Sequence, residues 1–176
     1  ENKQNGTYTT YTYDNAGQII SVRNYAPDGT VQSSFVYSYD LLGNCTSMET
    51  LDGTTHYGYD AIGQLTGVTY PDGKSVEYLY NGAGNRTKVI EDGIETVYTT
   101  NDMNQYTNVG SAVYAYDANG SMTSKTDATA TKTYTYDVEN RLIQVASTSG
   151  DTWGYTYDAL GNRKTKNHNG TITGYV

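Results

Sequence analysis

The sequence contains one cysteine, two prolines, one phenylalanine and one tryptophan, and only 17% of its residues are charged. A single cysteine, Cys45, allows neither an intrachain disulfide nor a cysteine metal cluster, so thiols carry no information about the compartment. No apolar run approaches the roughly 18 residues of a membrane helix, which argues against direct membrane insertion. The net charge of −8, from acids along the whole chain, predicts no nucleic-acid partner.

The core cannot be an ordinary leucine-rich one, because only 36% of the 176 residues are hydrophobic. Tyrosine and glycine are abundant instead, with 20 and 19 copies. The low charge density distinguishes the chain from expanded disordered segments, and the aromatic rings give it surface to bury. We therefore expect a folded chain with an aromatic core.

A unit of the form Y-x-Y-D-x-x-G recurs about eight times with a period of about 20 residues. Five copies are complete: Tyr11, Tyr13, Asp14, Gly17; Tyr37, Tyr39, Asp40, Gly43; Tyr57, Tyr59, Asp60, Gly63; Tyr114, Tyr116, Asp117, Gly120; and Tyr155, Tyr157, Asp158, Gly161. Three copies are altered: Tyr78, Tyr80, Asn81, Gly84; Tyr134, Tyr136, Asp137, Asn140; and the most degraded, Tyr98, Thr100, Asn101, Asn104.

A second set of turn signals lies between these units, so that each period holds two strands and two turns. These signals are Pro27-Asp28-Gly29, Asp52-Gly53, Pro71-Asp72-Gly73, Asp92-Gly93 and Asn169-Gly170. The pattern predicts residues 1–176 to be a single array of hairpins, and we expect it to be a segment of a larger protein. The approximate repeat units are 7–29, 30–53, 54–73, 74–93, 94–110, 111–129, 130–150 and 151–176.

The D-x-x-G element predicts a type I turn followed by a left-handed residue, with the Asp side chain accepting hydrogen bonds from turn amides. Asn104 and Asn140, which replace glycine, are the residue type that best tolerates left-handed backbone.

Strand parity places Phe35, Tyr37 and Tyr39, and their equivalents in other copies, on one face, which we call the tyrosine face. Apolar residues also recur two and five places after the turn glycine, as in Ile19 and Val22. A spacing of three breaks strict alternation and predicts a bulge in every second strand. The other pairs with this spacing are Cys45 and Met48, Leu65 and Val68, and Leu142 and Val145.

The run Tyr155-Thr156-Tyr157-Asp158-Ala159-Leu160-Gly161-Asn162-Arg163 resembles the tyrosine-aspartate (YD) repeats of the rearrangement hotspot (Rhs) family, and so does the run 136–142. That family includes bacterial polymorphic toxins, shell-forming parts of insecticidal toxin complexes, wall-associated proteins and the animal teneurins. The resemblance implies an all-β fold of tandem hairpins in a curved or spiralling antiparallel sheet. It also implies a β-shell that encloses a toxin in the full-length parent.

Other kinds of site are weakly indicated. The repeated aspartates could be acid–base pairs for glycoside hydrolysis, but turn capping explains them better. No calcium-loop motif occurs, and His56 and His168 have no second ligand at metal spacing. Cys45 occupies the position of Ile19 and Leu65, so we interpret it as a buried apolar residue and not a nucleophile. We therefore predict no enzyme, no catalytic residue, no metal and no cofactor.

Two functions remain open. The first is a structural module of a shell or stalk in a secreted or cell-surface protein, whose partners are neighbouring repeats and, in the full-length protein, a toxin cargo. The second is an adhesive module that binds glycans or a receptor, because exposed aromatic rings recognise sugar faces. The open edge strands would in either case allow edge-to-edge self-association.

Overall fold

In the computed structural model, which describes residues 5–175, the chain forms 17 β-strands, and none of the described residues lies in a helix. The expected all-β fold of antiparallel hairpins is therefore confirmed. The strands are β1 Tyr8–Tyr13, β2 Ile19–Tyr25, β3 Val31–Tyr39, β4 Cys45–Thr50, β5 Gly53–Tyr59, β6 Leu65–Thr69, β7 Ser75–Tyr80, β8 Arg86–Glu91, β9 Ile94–Thr100, β10 Tyr106–Val109, β11 Ala112–Tyr116, β12 Met122–Thr126, β13 Thr131–Tyr136, β14 Leu142–Ser147, β15 Thr152–Tyr157, β16 Arg163–His168 and β17 Thr171–Gly174.

The chain divides into two units, Glu1–Thr96 and Val97–Val176. In the first unit, the strands β1 to β8 are adjacent in sequence order, and each neighbouring pair from β1–β2 to β7–β8 is antiparallel. In the second unit, the same holds for β9 to β17. The most degraded copy of the motif, around Thr100, lies next to the division. The boundaries of the eight repeat units stay a prediction.

The bulge predicted from the three-residue spacing is present in the strand that follows each Asp-x-x-Gly turn. In the first copy Thr12 pairs with Ser21 but Tyr13 pairs with Ile19, so Ile20 is the extra residue. The same register shift occurs at the other seven copies. The bulge returns the residues two and five places after the turn glycine to one face. The prediction is confirmed.

Most side chains are only partly buried, and none of the described residues is fully buried. The least exposed are Val68, Val76, Val89, Val145, Thr9 and Thr55. All six lie on the tyrosine face, either five places after a turn glycine or two places before the first tyrosine of the motif. The core is therefore a single row of small residues between tyrosine rings.

Three turns at the opposite edge from the Asp-x-x-Gly elements carry none of the predicted dipeptides. They lie at Gly110, between Asp127 and Ala130, and between Ser147 and Gly150. Two of them are closed by backbone hydrogen bonds, from the Asp127 amide to the Ala130 carbonyl at 3.0 Å and from the Gly150 amide to the Ser147 carbonyl at 2.9 Å. Serine, threonine and alanine can occupy such turns without a strong sequence signal, which is why the five dipeptides identified fewer turns than the fold contains.

Candidate functional site

The Asp-x-x-Gly turn is built in the same way in all eight copies. The side-chain oxygen of the Asp or Asn accepts hydrogen bonds from the backbone amides two and four residues later, at 2.8–3.0 Å. Its own amide donates to the carbonyl four residues later. Asn81 and Asn101 make the same two side-chain contacts as the aspartates, so the turn requires an acceptor oxygen and not a charge.

The fourth residue of the turn has left-handed backbone in every copy. Gly43 has φ of +87°, and the substituting residues Asn104 and Asn140 have φ of 59° and 60°. Its amide donates to the Asp or Asn carbonyl at 3.0–3.2 Å and closes the turn. Hydrogen bonds within their own turns therefore account for the aspartate side chains.

Successive turns touch each other through the residue that follows the turn glycine. Gln105 Nε2 donates to the Gly120 carbonyl at 2.8 Å, and Ser121 Oγ donates to Asn140 Oδ1 at 2.8 Å. In the first unit, Gln18 Nε2 lies 3.5 Å from the Gly43 carbonyl. These contacts join the turns along one edge of each unit.

The second tyrosine of the motif joins neighbouring repeats. Its hydroxyl donates to the carbonyl of the residue two places after the turn glycine of the preceding repeat, at 2.7–2.9 Å. Tyr59 donates to Cys45 in this way, and Tyr80 donates to Leu65. The other pairs are Tyr39 to Ile19, Tyr116 to Tyr106, Tyr136 to Met122 and Tyr157 to Leu142.

Burial raises the pKa of the Tyr39, Tyr59, Tyr116 and Tyr136 hydroxyls, so these groups remain neutral donors at physiological pH. The sequence pattern does not reveal this role, because spacing alone predicts tyrosine as a packing residue. One signal could have done so: the second position is tyrosine in seven copies and never phenylalanine, which fits a ring whose hydroxyl is used.

Hydrogen bonds to the turn carboxylates lower their pKa values. The side chain and the amide of Asn44 do so for Asp40, those of Asn162 for Asp158, and the amide of Arg141 for Asp137. Because the folded-state pKa lies below the unfolded value, each group stabilises the fold above about pH 4, and this contribution is lost as the pH falls through the folded pKa.

We therefore expect the melting temperature to fall as the pH is lowered from 5 to 2. The triple variant Asp40→Asn, Asp137→Asn, Asp158→Asn should keep the turn bonds, as Asn81 and Asn101 do, and should show a shallower decline. Thermal unfolding followed by circular dichroism across this pH range measures both slopes. Equal slopes for the two proteins would show that the turn carboxylates do not contribute to acid unfolding.

The other residues considered from the sequence form no site. Burial raises the pKa of the Cys45 thiol, which contacts the Ser47 carbonyl at 3.3 Å, so its environment does not activate it. His56 is exposed, and His168 stacks on Trp153 with ring centroids 5.0 Å apart. Within residues 5–175, no group of three or more His, Cys, Asp or Glu side chains could hold a metal ion, and no helix could cross a membrane.

Comparison with known proteins agrees with this architecture. The family model described as RHS Repeat matches residues 59–93, 116–152 and 136–172, which together span more than half of the chain. The chain is 42% identical over 118 residues to the tRNA nuclease WapA of Bacillus subtilis strain 168, and 36% identical over 134 residues to the tRNA(Glu)-specific nuclease WapA of Bacillus subtilis subsp. natto. These matches cover 64% and 75% of the chain but only 5% of each relative.

Solved structures share the fold at low sequence identity. TcdB2-TccC3 without its hypervariable C-terminal region matches 96% of the chain with a TM-score of 0.56 and 15% identity, over 12% of its own length. The Photorhabdus luminescens Tc holotoxin pore carrying the TccC3 mutation D651A matches 95% of the chain with a TM-score of 0.54 and 15% identity, also over 12% of its length. In both cases the chain corresponds to a small part of a much larger protein.

Proposed function

Because the chain belongs to the RHS repeat family, we propose that it is a structural module that forms part of the wall of a β-shell or stalk in a secreted or surface protein. The observation that carries this proposal is the hydrogen bond to the preceding repeat from six of the seven tyrosines at the second motif position, all except Tyr13. The motif residues are thereby used to connect one repeat to the next, which is the requirement for a stiff wall. The turn aspartates and the second tyrosines of the motif are therefore committed to structural contacts.

We further propose that the chain is not an enzyme and that any toxic activity belongs to another part of the parent protein. The nuclease relatives are about twenty times longer than the matched stretch, which leaves ample length for a separate catalytic domain. A toxin cargo and neighbouring repeats are then the natural partners of the full-length protein. Export to the outside of the cell is part of the same proposal.

Amide hydrogen exchange on the purified chain tests the structural role. A wall segment is expected to protect the amides of β2–β7 and β11–β16 strongly, because local opening would have to break ladder bonds on both sides of each strand. If the amides of most of these strands exchanged within seconds, the chain would not be rigid enough to form part of a wall. Sedimentation velocity on the same sample measures the edge-to-edge association expected of unpaired edge strands.

A second candidate, glycan binding, is favoured by one observation: Tyr11 and Tyr13 are 42% and 57% exposed, whereas the equivalent tyrosines of later copies are half-buried. Exposed rings can stack on sugar faces. A glycan array tests this candidate directly. Binding that disappears in Tyr11→Ala and Tyr13→Ala variants would support an adhesive role, and a blank array would exclude it for the sugars displayed.

A further inference from the structure

The row of positions on the tyrosine face that holds the least exposed residues is built from cross-strand pairs, one pair at each hairpin. In the first unit the pairs are Val22 with Phe35, Met48 with Thr55, and Val68 with Val76. In the second unit they are Val109 with Ala112, Lys125 with Lys132, Val145 with Trp153, and Lys166 with Thr173. One hairpin therefore has two lysines directly opposite each other, whereas four of the other six pairs are entirely apolar.

Like charges directly opposite each other destabilise a sheet, so this pair works against the fold. Lys125 is partly compensated by Asp127, whose carboxylate lies 3.2 Å from its ammonium. Lys132 has no carboxylate within ion-pair distance among the described residues, and its ammonium lies 5.7 Å from the centre of the Trp153 ring. Both side chains remain accessible to solvent, since Lys132 is exposed and the Lys125 side chain is 36% exposed, so they are available to a ligand.

Further cations extend the same face. Arg163 lies between two aromatic rings, 5.8 Å from the centre of Tyr155 and 4.7 Å from that of Tyr175. Lys166 pairs across the strands with Tyr155. Neither Arg163 nor Lys166 has a carboxylate partner within the part of the chain that the structure describes. The row from Lys125 to Lys166 spans four strand spacings, or about 19 Å.

The acidic residues of the second unit lie at the edges of this face, and two of them contact it: the Asp127 carboxylate pairs with Lys125, and Asp151 Oδ1 lies 3.5 Å from His168 Nε2. All seven lie outside the strands, in the turns at the two edges: Asp102, Asp117, Asp127, Asp137, Glu139, Asp151 and Asp158. The strands thus carry lysine and arginine while the edges carry carboxylates. A chain with a net charge of −8 has in this way a local cationic, aromatic surface.

We propose that the tyrosine face of the second unit, centred on Lys132, Arg163 and Lys166, is a docking surface for an acidic polypeptide segment. Carboxylates on such a segment would pair with the uncompensated cations and would relieve the repulsion between Lys125 and Lys132. The strands are about six residues long, so the acidic edges are only about 20 Å apart. The surface therefore suits a short segment that carries a few negative charges.

A single-stranded nucleic acid is the competing occupant, and the geometry favours it less. Base stacking needs free aromatic faces. On this surface other side chains already cover the rings, with Arg163 between Tyr155 and Tyr175 and with the His168 ring and the Lys132 ammonium at Trp153. A long phosphate backbone would also cross the acidic edges. The proposal is independent of the structural role of the chain.

Fluorescence anisotropy of a labelled decaglutamate peptide, titrated with the full chain at low salt, tests the proposal. We expect saturable binding that weakens as salt screens the charges. The variant Lys132→Gln, Arg163→Gln, Lys166→Gln should bind about tenfold more weakly, which is the sum expected for three exposed ion pairs. The matched control, Arg23→Gln, Lys74→Gln, Lys88→Gln, removes the same charge from the first unit and should leave the affinity unchanged.

A second variant, Lys125→Val, Lys132→Val, restores the apolar pair found in other hairpins. It should raise the melting temperature of the chain. It should also weaken peptide binding by at least as much as the loss of one cation. Three results would overturn the proposal: no binding at low salt, equal weakening by the control variant, or tighter binding of an oligouridylate of equal charge, which would make nucleic acid the occupant.

Discussion

Replacement of Gly53 by alanine is expected to lower the free energy of unfolding of the first unit by about 3 kcal/mol. Gly53 begins β5 with φ of +126°, a conformation that side chains rarely adopt. A Cβ at this position would lie 2.7 Å from Cβ of Pro71 in the next repeat. Because the proline ring is rigid, the contact can be relieved only by moving the backbone of one of the two turns.

Gly73→Ala is the matched control for this substitution. Gly73 also has left-handed backbone, with φ of +85°, but a Cβ there meets nothing within 4 Å. Its expected cost is about 1 kcal/mol, from the backbone conformation alone. Urea unfolding of both variants, followed by circular dichroism, measures the difference. An equal loss in the two variants would show that contact between Gly53 and Pro71 does not determine the stability.

The triple variant Tyr39→Phe, Tyr59→Phe, Tyr80→Phe should also lose about 3 kcal/mol. Each substitution removes one hydroxyl that donates to a backbone carbonyl of the preceding repeat, and a hydrogen bond of this kind contributes about 1 kcal/mol. The ring and its packing are retained. The loss therefore reports on the connection between repeats and not on the size of the core.

The first tyrosines of the same copies provide the control, because their hydroxyls have no hydrogen-bond partner among the described residues. The variant Tyr37→Phe, Tyr57→Phe, Tyr78→Phe removes the same number of hydroxyl groups from the same strands. Its stability should change by less than about 0.5 kcal/mol for each position. If urea unfolding gave the two triple variants the same midpoint, the hydroxyl bonds would not be what joins the repeats.

The elements predictable from the sequence were those that depend on local geometry. The Asp-x-x-Gly turn is contained in five residues, and its acceptor oxygen and left-handed fourth position follow from residue type, as Asn81 and Asn140 show. The bulge followed from the spacing of Ile19 and Val22, because a strand that breaks alternation must insert a residue. The family resemblance, now confirmed by the match to the RHS repeat model, then supplied the hairpin fold.

The features that were missed join residues that are distant in sequence. The hydroxyl of Tyr59 reaches Cys45, and Pro71 packs on Gly53, only because the sheet brings consecutive repeats into register. Lysine at positions 125 and 132 looks like ordinary solvated surface in the sequence. Only the strand pairing reveals that the two side chains are opposite each other in the row that holds the least exposed residues of the sheet.

The tyrosine hydroxyl bonds all point the same way along the chain. Each donor is 10 to 20 residues later in the sequence than the carbonyl that it contacts. During synthesis, a newly emerged repeat therefore finds its acceptor in a repeat that the ribosome has already released, and it never depends on residues that have yet to be translated. The array can be completed one hairpin at a time from its N-terminal end, so its order of assembly follows the order of translation.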